Sequence, residues 1–441
     1  MELDSRHSVR RFVLPVTLEN IGTVLIGLVF SWLVGGISRS ALAAIGTVNI
    51  ILSFYTAFFS LLSGGAAILT ARLVGAHDHA GASRVVEQTI FMTVAISALL
   101  TVVSLCLTQP ILHLVMPTAE PALMREAVRY FRVCALAIIP MMLYTVLMSV
   151  LRASGDSRAP MMTTTLQNIC QILVGFVFMK LIPLQEVGAG IATSFCRFFG
   201  GTLAVCITLR SHDAFFISPR NLLKPVPAVI KRLIRLGMPA CLESCIVQFG
   251  YLLANSLVMG LGTQQAAMYQ VANALQSFSS MPQGICSSVS TTFVGQYLGA
   301  KDYAGAKKFG YKNLFVSLPI SLTLYLVIAL LGPKLTPLYT SDPEVAAGAV
   351  TCLWVLMAFS LPGQSINTID SALRAGGDVK FVLAETVIGV WLVRLPLSWL
   401  LGYKLGMGII GIYWANIISL AVRAATGLWR YHGTKWMYKR V

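Results

Sequence analysis

Charge is scarce in this chain. Asp, Glu, Lys and Arg make up 11% of its 441 residues, against roughly a quarter in a soluble domain. A water-soluble core cannot hide the 56% of residues that are hydrophobic. Acid is scarcer than base: 17 Asp and Glu face 33 Lys and Arg, for a net charge of +16. Cysteine is sparse as well. The nine cysteines are an odd number, and Cys106, Cys170, Cys206 and Cys286 lie in apolar runs, so no disulfide framework or metal site is indicated. Cys241 and Cys245 share a helix face but lack further ligands, which reads as packing. There is no HExxH motif, no paired-aspartate motif and no Ser–His set, which argues against a membrane-embedded enzyme. No nucleotide-binding domain is present to drive a pump. No cleavable signal peptide is evident, because the first apolar stretch is too long and lacks a cleavage site.

Long apolar runs fill the space those absences leave. Val13–Gly35, Phe91–Leu107, Leu314–Leu331 and Gly408–Leu428 have the length needed to cross ~30 Å of hydrocarbon. In a soluble chain such a basic balance would suggest nucleic acid. Here the basic residues cluster in alternate short loops. With the N-terminus inside, 24 of the 33 fall on the cytoplasmic side, Arg423 among them, and seven on the other. That split follows the positive-inside rule and predicts both ends in the cytoplasm. The last two, Arg197 and Arg394, sit inside apolar runs.

The chain is a duplicated unit. Gly75-Ala-His-Asp-His-Ala-Gly-Ala82 returns as Gly299-Ala-Lys-Asp-Tyr-Ala-Gly-Ala306, at an offset of 224 residues. Pro15 and Glu19 return as Pro239 and Glu243, and Asn49, Ser53 and Phe54 as Asn273, Ser277 and Phe278, at the same offset. Leu151-Arg-Ala-Ser-Gly-Asp156 returns as Leu373-Arg-Ala-Gly-Gly-Asp378, and Pro140 as Pro362, at 222. Six spans are expected in each half: roughly 13–35, 42–70, 86–108, 127–150, 160–180 and 187–209, then 237–260, 266–294, 309–331, 346–370, 381–402 and 408–428. The expected fold is an all-α membrane protein of twelve transmembrane helices. It has an N-terminal bundle at 1–209, a cytoplasmic linker at 210–236 and a C-terminal bundle at 237–441. Six spans return the chain to the side it left, so the halves are parallel repeats, a plan used by secondary transporters.

With these motifs in duplicate and in order, the chain resembles the multidrug and toxic compound extrusion (MATE) family over nearly its whole length. Pro-x-x-x-Glu opening helices 1 and 7, and Ala41-Leu-Ala-Ala-Ile-Gly46 opening helix 2, add to the likeness. The resemblance implies a monomeric antiporter of the bacterial inner membrane. It would export organic, often cationic and amphipathic, small molecules in exchange for H⁺ or Na⁺, by alternating access of two bundles. It implies no cofactor beyond the coupling ion and no nucleic-acid partner. A flippase or exporter of lipid-linked glycans or metabolites is the alternative, although basic residues placed mostly in loops speak against its strongly cationic cavity. The chain departs from the family at two positions. Phe30 stands where many bacterial members carry a helix 1 aspartate, and Val247 where others carry a helix 7 glutamate.

Coupling needs a carboxylate within the membrane, which costs roughly 2.5–3.5 kcal/mol at a helix centre and so tends to face a cavity or a partner. The coupling-ion candidates are Glu243, Glu19 and Asp370. The two glutamates lie four residues after a proline, on its helix face, and the alternative role for each is to pin a helix end. Asp370 is one turn before Arg374, which suggests a local ion pair. Glu385, five residues past Lys380, reads as interfacial. Candidates for the substrate path are Asn49, Asn273, Gln270, Gln276, Gln364, Tyr144, Asn168 and Gln171, polar groups inside apolar runs that could equally bond across helices. Arg394 reads as a tether more than a substrate contact. Gly155-Asp156 and Gly377-Asp378 read as tight turns in which glycine supplies a positive φ and aspartate caps the next helix.

Overall fold

The computed structural model describes residues 6–34, 39–117, 120–182, 185–210, 216–217, 219–222, 224–340 and 342–439. The side chains of Arg6, Arg10, Arg39, Lys180, Arg220 and Arg440, counted above among the loop charges, lie outside what is described. Every regular element among the described residues is helical, as lipid requires of a chain that must satisfy its backbone internally. Nine helices among the described residues are long and apolar enough to cross a membrane, and a bent pair makes a tenth span. The contacts divide the chain into two compact units, residues 1–238 and 239–441.

The first unit contains α1 (Arg6–Val34), α2 (Arg39–Gly75), α3 (His79–Cys106), α4 (Thr108–Val115), α5 (Pro121–Leu136), α6 (Ile138–Ser154), α7 (Arg158–Phe176) and α8 (Gln185–Arg210). The expected straight helix at 127–150 is instead α5 and α6, bent by 53° at Ala137. Pro140 has no N–H to offer the carbonyl of Leu136, and its ring crowds that carbonyl. The linker carries a short helix, α9 (Pro219–Leu222), and is tied down by Gln88, buried on α3. The Gln88 amide donates to the Lys224 carbonyl at 2.9 Å and accepts from the Val226 N–H at 2.8 Å.

The next helix, α10 (Pro227–Gly260), starts ten residues before the expected end of the linker. Pro227, which reads as a linker residue in the sequence, is suited to a first helical turn. At the crossing of α2 and α10 a Cβ on Gly237 would run into the Leu61 carbonyl, so only glycine fits.

The second unit begins within α10 and continues with α11 (Thr263–Ser279), α12 (Met281–Val289), α13 (Gly295–Gly299), α14 (Tyr303–Leu335), α15 (Pro343–Ala375), α16 (Val379–Val387), α17 (Leu395–Trp399) and α18 (Gly408–His432). π-helical turns at Ser290–Val294, Ile388–Arg394 and Leu400–Lys404 join the shorter pieces. α15 packs against α11, α12, α14 and α18, at the centre of this unit. It runs unbroken through Pro362, the repeat mate of Pro140.

The repeated loops share backbone conformations. His77 and Lys301, related by the 224 offset, both have positive φ, 57° and 62°. Asp78 and Asp302 then accept from the Gly81 and Gly305 N–H groups, each at 2.8 Å. Gly155 and Gly377 have the positive φ expected of them, 100° and 78°. Asp156 accepts from the N–H groups of Arg158 and Ala159 at 2.9 and 3.1 Å. Asp378 does not cap. It accepts from Arg430 Nε at 2.7 Å and Lys439 Nζ at 2.6 Å, because the last turn of α18 and the C-terminal tail each deliver a cation to it.

Candidate functional site

The duplicated motifs meet in space. In the first unit, Glu19 on α1 faces Arg152 at the end of α6 and Thr164 on α7. Arg152 donates to Glu19 Oε1 at 2.8 Å and the Thr164 hydroxyl to the same oxygen at 2.9 Å. Tyr144 bonds to the Thr164 hydroxyl at 2.6 Å, so this path candidate belongs to the clamp. In the second unit, Glu243 on α10 faces Arg374 on α15 and Thr386 on α16. Arg374 donates to both Glu243 oxygens at 2.8 Å and Thr386 to one of them at 3.4 Å. Arg152 and Arg374, like Thr164 and Thr386, are related by the 222 offset. Duplication has preserved a three-helix clamp as well as a sequence motif. Glu19 and Glu243 are both 8% exposed, which is tolerable only because each carboxylate has a guanidinium partner.

The second unit has more. The expected i,i+4 pair of Asp370 with Arg374 is not formed as the main contact. Arg374 reaches Glu243, and Asp370 Oδ2 instead takes Arg423 from α18 at 3.1 Å. The arginine side chain is long enough to cross to another helix, where desolvation makes a partner more valuable than it is on a helix surface. Arg423, expected in a cytoplasmic loop, is 7% exposed, and Glu385, expected at the interface, is 6% exposed. Arg423 Nε lies 3.9 Å from Glu385 Oε1, and its Nη2 donates to Thr386 at 2.8 Å. Thr426 donates to Glu385 Oε2 at 3.3 Å. The Asp370 and Glu385 carboxyls are close neighbours beside Gly427, and Arg374 is in electrostatic contact with Glu243, Asp370 and Glu385. Three carboxyls therefore share two guanidiniums. Asp370 Oδ1, Glu385 Oε1 and Arg423 Nε are buried without a hydrogen-bond partner among the described residues.

No such surplus exists in the first unit at the matching positions. At the 222 offset, Asp370 corresponds to Met148, which is fully buried, and Glu385 to Thr163, whose hydroxyl donates to its own helix at Ala159 O. The mismatch is the signal that sequence reasoning missed. In a duplicated chain, charged residues that break the repeat mark what one half does and the other does not.

A cavity of about 300 Å³ lies in the second unit, with Asn273, Gln276, Tyr269, Gln283, Arg394 and Tyr413 among its walls. Two of the path candidates, Asn273 and Gln276, thus line a cavity. Tyr413 donates to Asn273 Oδ1 at 3.3 Å. Gln270 and Asn49 are exposed, and neither is among the lining residues of this cavity. Gln364 is fully buried against Thr368, at 3.2 Å, because α15 is surrounded by other helices at that depth. Asn168 donates to Thr23 at 3.4 Å, a bond between α7 and α1, and Gln171 is half-buried on α7. Arg197 is half-buried on α8, with Nη1 unpartnered among the described residues.

Two compact helical units built on a duplicated sequence, long apolar helices and buried ion pairs define a duplicated multi-pass membrane transporter. The MatE family model matches residues 15–177 and again 239–400, and the chain belongs to that family. It is therefore a transporter and not an enzyme. The chain is 24% identical to the Thermotoga maritima "Probable multidrug resistance protein NorM" over 443 aligned positions, covering 99% of this chain and 94% of the relative. It is also 24% identical to the Bacillus subtilis "Uncharacterized transporter YisQ", covering 99% and 96%. Among solved structures it matches one described as an "Outward-facing conformation of a multidrug resistance MATE family transporter of the MOP superfamily" (TM-score 0.89, 18% identity, 98% of this chain and 96% of that one). A Pyrococcus furiosus MOP superfamily transporter, described as having a binding pocket of reverse polarity, matches equally well in fold (TM-score 0.89, 19% identity, 98% and 96%). At these identities the structures establish the fold, that of a twelve-helix transporter.

Proposed function

We propose that the chain is a secondary active antiporter that exports amphipathic organic small molecules, cationic ones among them, in exchange for H⁺ or Na⁺. The supporting observation is the charge imbalance of the second unit. With Glu243, Asp370 and Glu385 ionised and Arg374 and Arg423 charged, the cluster carries one negative charge too many for a buried site. One bound cation balances it. Two carboxyls in contact can also form a hydrogen bond between them only if one carries a proton, so Asp370 and Glu385 offer a seat for H⁺. Glu19, with a single arginine and no surplus acid, serves as a helix clamp, and Glu243 combines that role with membership of the cluster.

The protein acts as a monomer in the bacterial cytoplasmic membrane, with both ends and the linker on the cytoplasmic side, and alternates access between its two halves. An inward ion gradient supplies about 2.3 kcal/mol per charge for each 100 mV, enough for a concentration ratio of roughly fifty. The test is loss of a fluorescent organic cation from a bacterial host stripped of its own efflux pumps, with and without a protonophore and with sodium added or withheld. Expression-dependent efflux that collapses with the protonophore supports the reading. Unchanged dye retention despite confirmed membrane insertion overturns it.

A further inference from the structure

Arg394 is 6% exposed, sits in an apolar run, and forms no hydrogen bond or ion pair among the described residues. Its Nε is fully buried, and its guanidinium stacks 4.8 Å from the centre of the Tyr251 ring. A cation at membrane depth without a counter-charge is costly and marks a functional position by default. The backbone supports that position with an unusual turn. Ile388–Arg394 is π-helical, and the Leu395 N–H bonds five residues back to the Val390 carbonyl. Pro396 withholds the donor that the Leu392 carbonyl would otherwise receive. Short π-helical insertions of this kind occur frequently at functional sites.

Arg394 is also a wall of the 300 Å³ cavity. None of the described lining residues is acidic. Gln283, another wall, is 8% exposed; its Oε1 accepts from Asn367 at 3.3 Å, and its Nε2 has no partner among the described residues. The buried, unpartnered polar atoms contributed by the lining residues are thus both N–H donors. The remaining walls mix uncharged polar side chains with aromatic ones, among them Tyr269 and Tyr413, whose rings lie 5.5 Å apart.

We infer that this cavity binds the acidic group of an aromatic organic anion, with Arg394 and Gln283 as donors and the tyrosines as the wall for the ring. The cargo of the transporter therefore includes aromatic acids. The inference rests on the transport reading for its biological meaning, but binding is measured apart from transport. The volume lies at the lower end of small-molecule pockets, roughly 300–1,000 Å³, which suits a one- or two-ring ligand.

The experiment uses 2-naphthoate and 2-naphthylmethylammonium, the same ring with opposite charge, in equilibrium dialysis against the purified full-length protein, with no ion gradient present. The wild type is expected to bind 2-naphthoate and to prefer it to the amine. Arg394→Gln is expected to weaken 2-naphthoate binding at least about tenfold, the loss for a charge-assisted hydrogen bond, and to leave the amine unchanged. Arg394→Lys keeps the charge without the planar fork and should fall between. Equal or tighter binding of the amine by the wild type overturns the inference, as does an Arg394→Gln protein that binds 2-naphthoate normally. The wild-type preference needs no variant, so it decides the matter even where Arg394→Gln fails to fold. Failure here leaves gradient-driven efflux untouched, and failure of efflux leaves this binding preference intact.

Discussion

The two halves hold the same clamp but not the same charge. Glu19, Arg152 and Thr164 close on themselves in the first unit, one acid to one base. Glu243, Arg374 and Thr386 open onto Asp370, Glu385 and Arg423 in the second, three acids to two bases. Duplication explains the shared part. Pro-x-x-x-Glu on the opening helix and the arginine at the end of the fourth helix of each half are copied together, because neither can be buried without the other. The unshared part has no such constraint. The first unit fills the same positions with the buried, uncharged Met148 and Thr163. A buried charge kept in only one copy needs a reason other than stability, since a buried ion pair is often no more stable than an apolar replacement.

The proline of the fourth helix makes a second contrast. Pro140 accompanies a 53° bend between two helices, whereas Pro362, its copy, lies inside an unbroken 33-residue helix. Both residues remove one backbone hydrogen bond. What differs is the surroundings: α15 is packed on several sides, against α11, α12, α14 and α18 among others, in the second unit.

The sharpest way to break the comparison is to remove the base of the surplus cluster. Arg423→Gln leaves Asp370 and Glu385 buried without their guanidinium, and a loss of about 3–5 kcal/mol is expected. It should be visible as a large fall in the thermal midpoint of the detergent-purified protein. Arg423→Gln combined with Asp370→Asn should recover part of that loss, because the uncompensated charge goes with it.

The clamps come next. Arg152→Gln leaves one carboxylate alone, and Arg374→Gln leaves three carboxyls facing one arginine. Thermal unfolding should rank Arg374→Gln as the more damaging, with about 3 kcal/mol lost against about 2 kcal/mol for Arg152→Gln. Equal losses would mean that the surplus acids do not feel Arg374.

The hydroxyls give the smallest effects. Thr164→Val removes one hydrogen bond to Glu19 and should cost about 1 kcal/mol. Thr386→Val removes the bond from Arg423 as well as the weak one to Glu243, so it should cost more than its copy in the same unfolding measurement. The turn aspartates extend the contrast. Asp156→Ala should lose only a cap, about 1 kcal/mol. Asp378→Ala should instead release the C-terminal tail, read as faster amide exchange around Trp436.

The duplication, the helical class and the two glutamates were legible because they are written twice, but the pairing of Glu19 with Arg152 and of Glu243 with Arg374 was not, because those arginines read as loop charges. The surplus cluster was not, because its members have no copies and each has an innocent local reading. Asp370 stands one turn from an arginine, Glu385 stands near Lys380, and Arg423 stands near the basic end of the last helix. Local spacing cannot show that α15, α16 and α18 bring them together. The cavity was half legible. Asn273 and Gln276 were recognisable as polar groups in an apolar run, but Asn49, Gln270 and Gln364 looked the same in sequence, and only packing separates them. Arg394 stood out by its place in an apolar run, yet the π-helical turn that supports its position has no simple sequence signature.

The central claim is that the charge surplus of the second unit couples transport, while the first-unit clamp only holds helices. Gradient-driven dye efflux from the pump-deficient host, compared between Glu385→Gln and Glu19→Gln at matched expression, tests it most directly. The account predicts that Glu385→Gln loses protonophore-sensitive efflux by at least about tenfold, while Glu19→Gln keeps its sensitivity to the protonophore even if its rate falls. Full protonophore-sensitive efflux in Glu385→Gln, or its selective loss in Glu19→Gln, would contradict it.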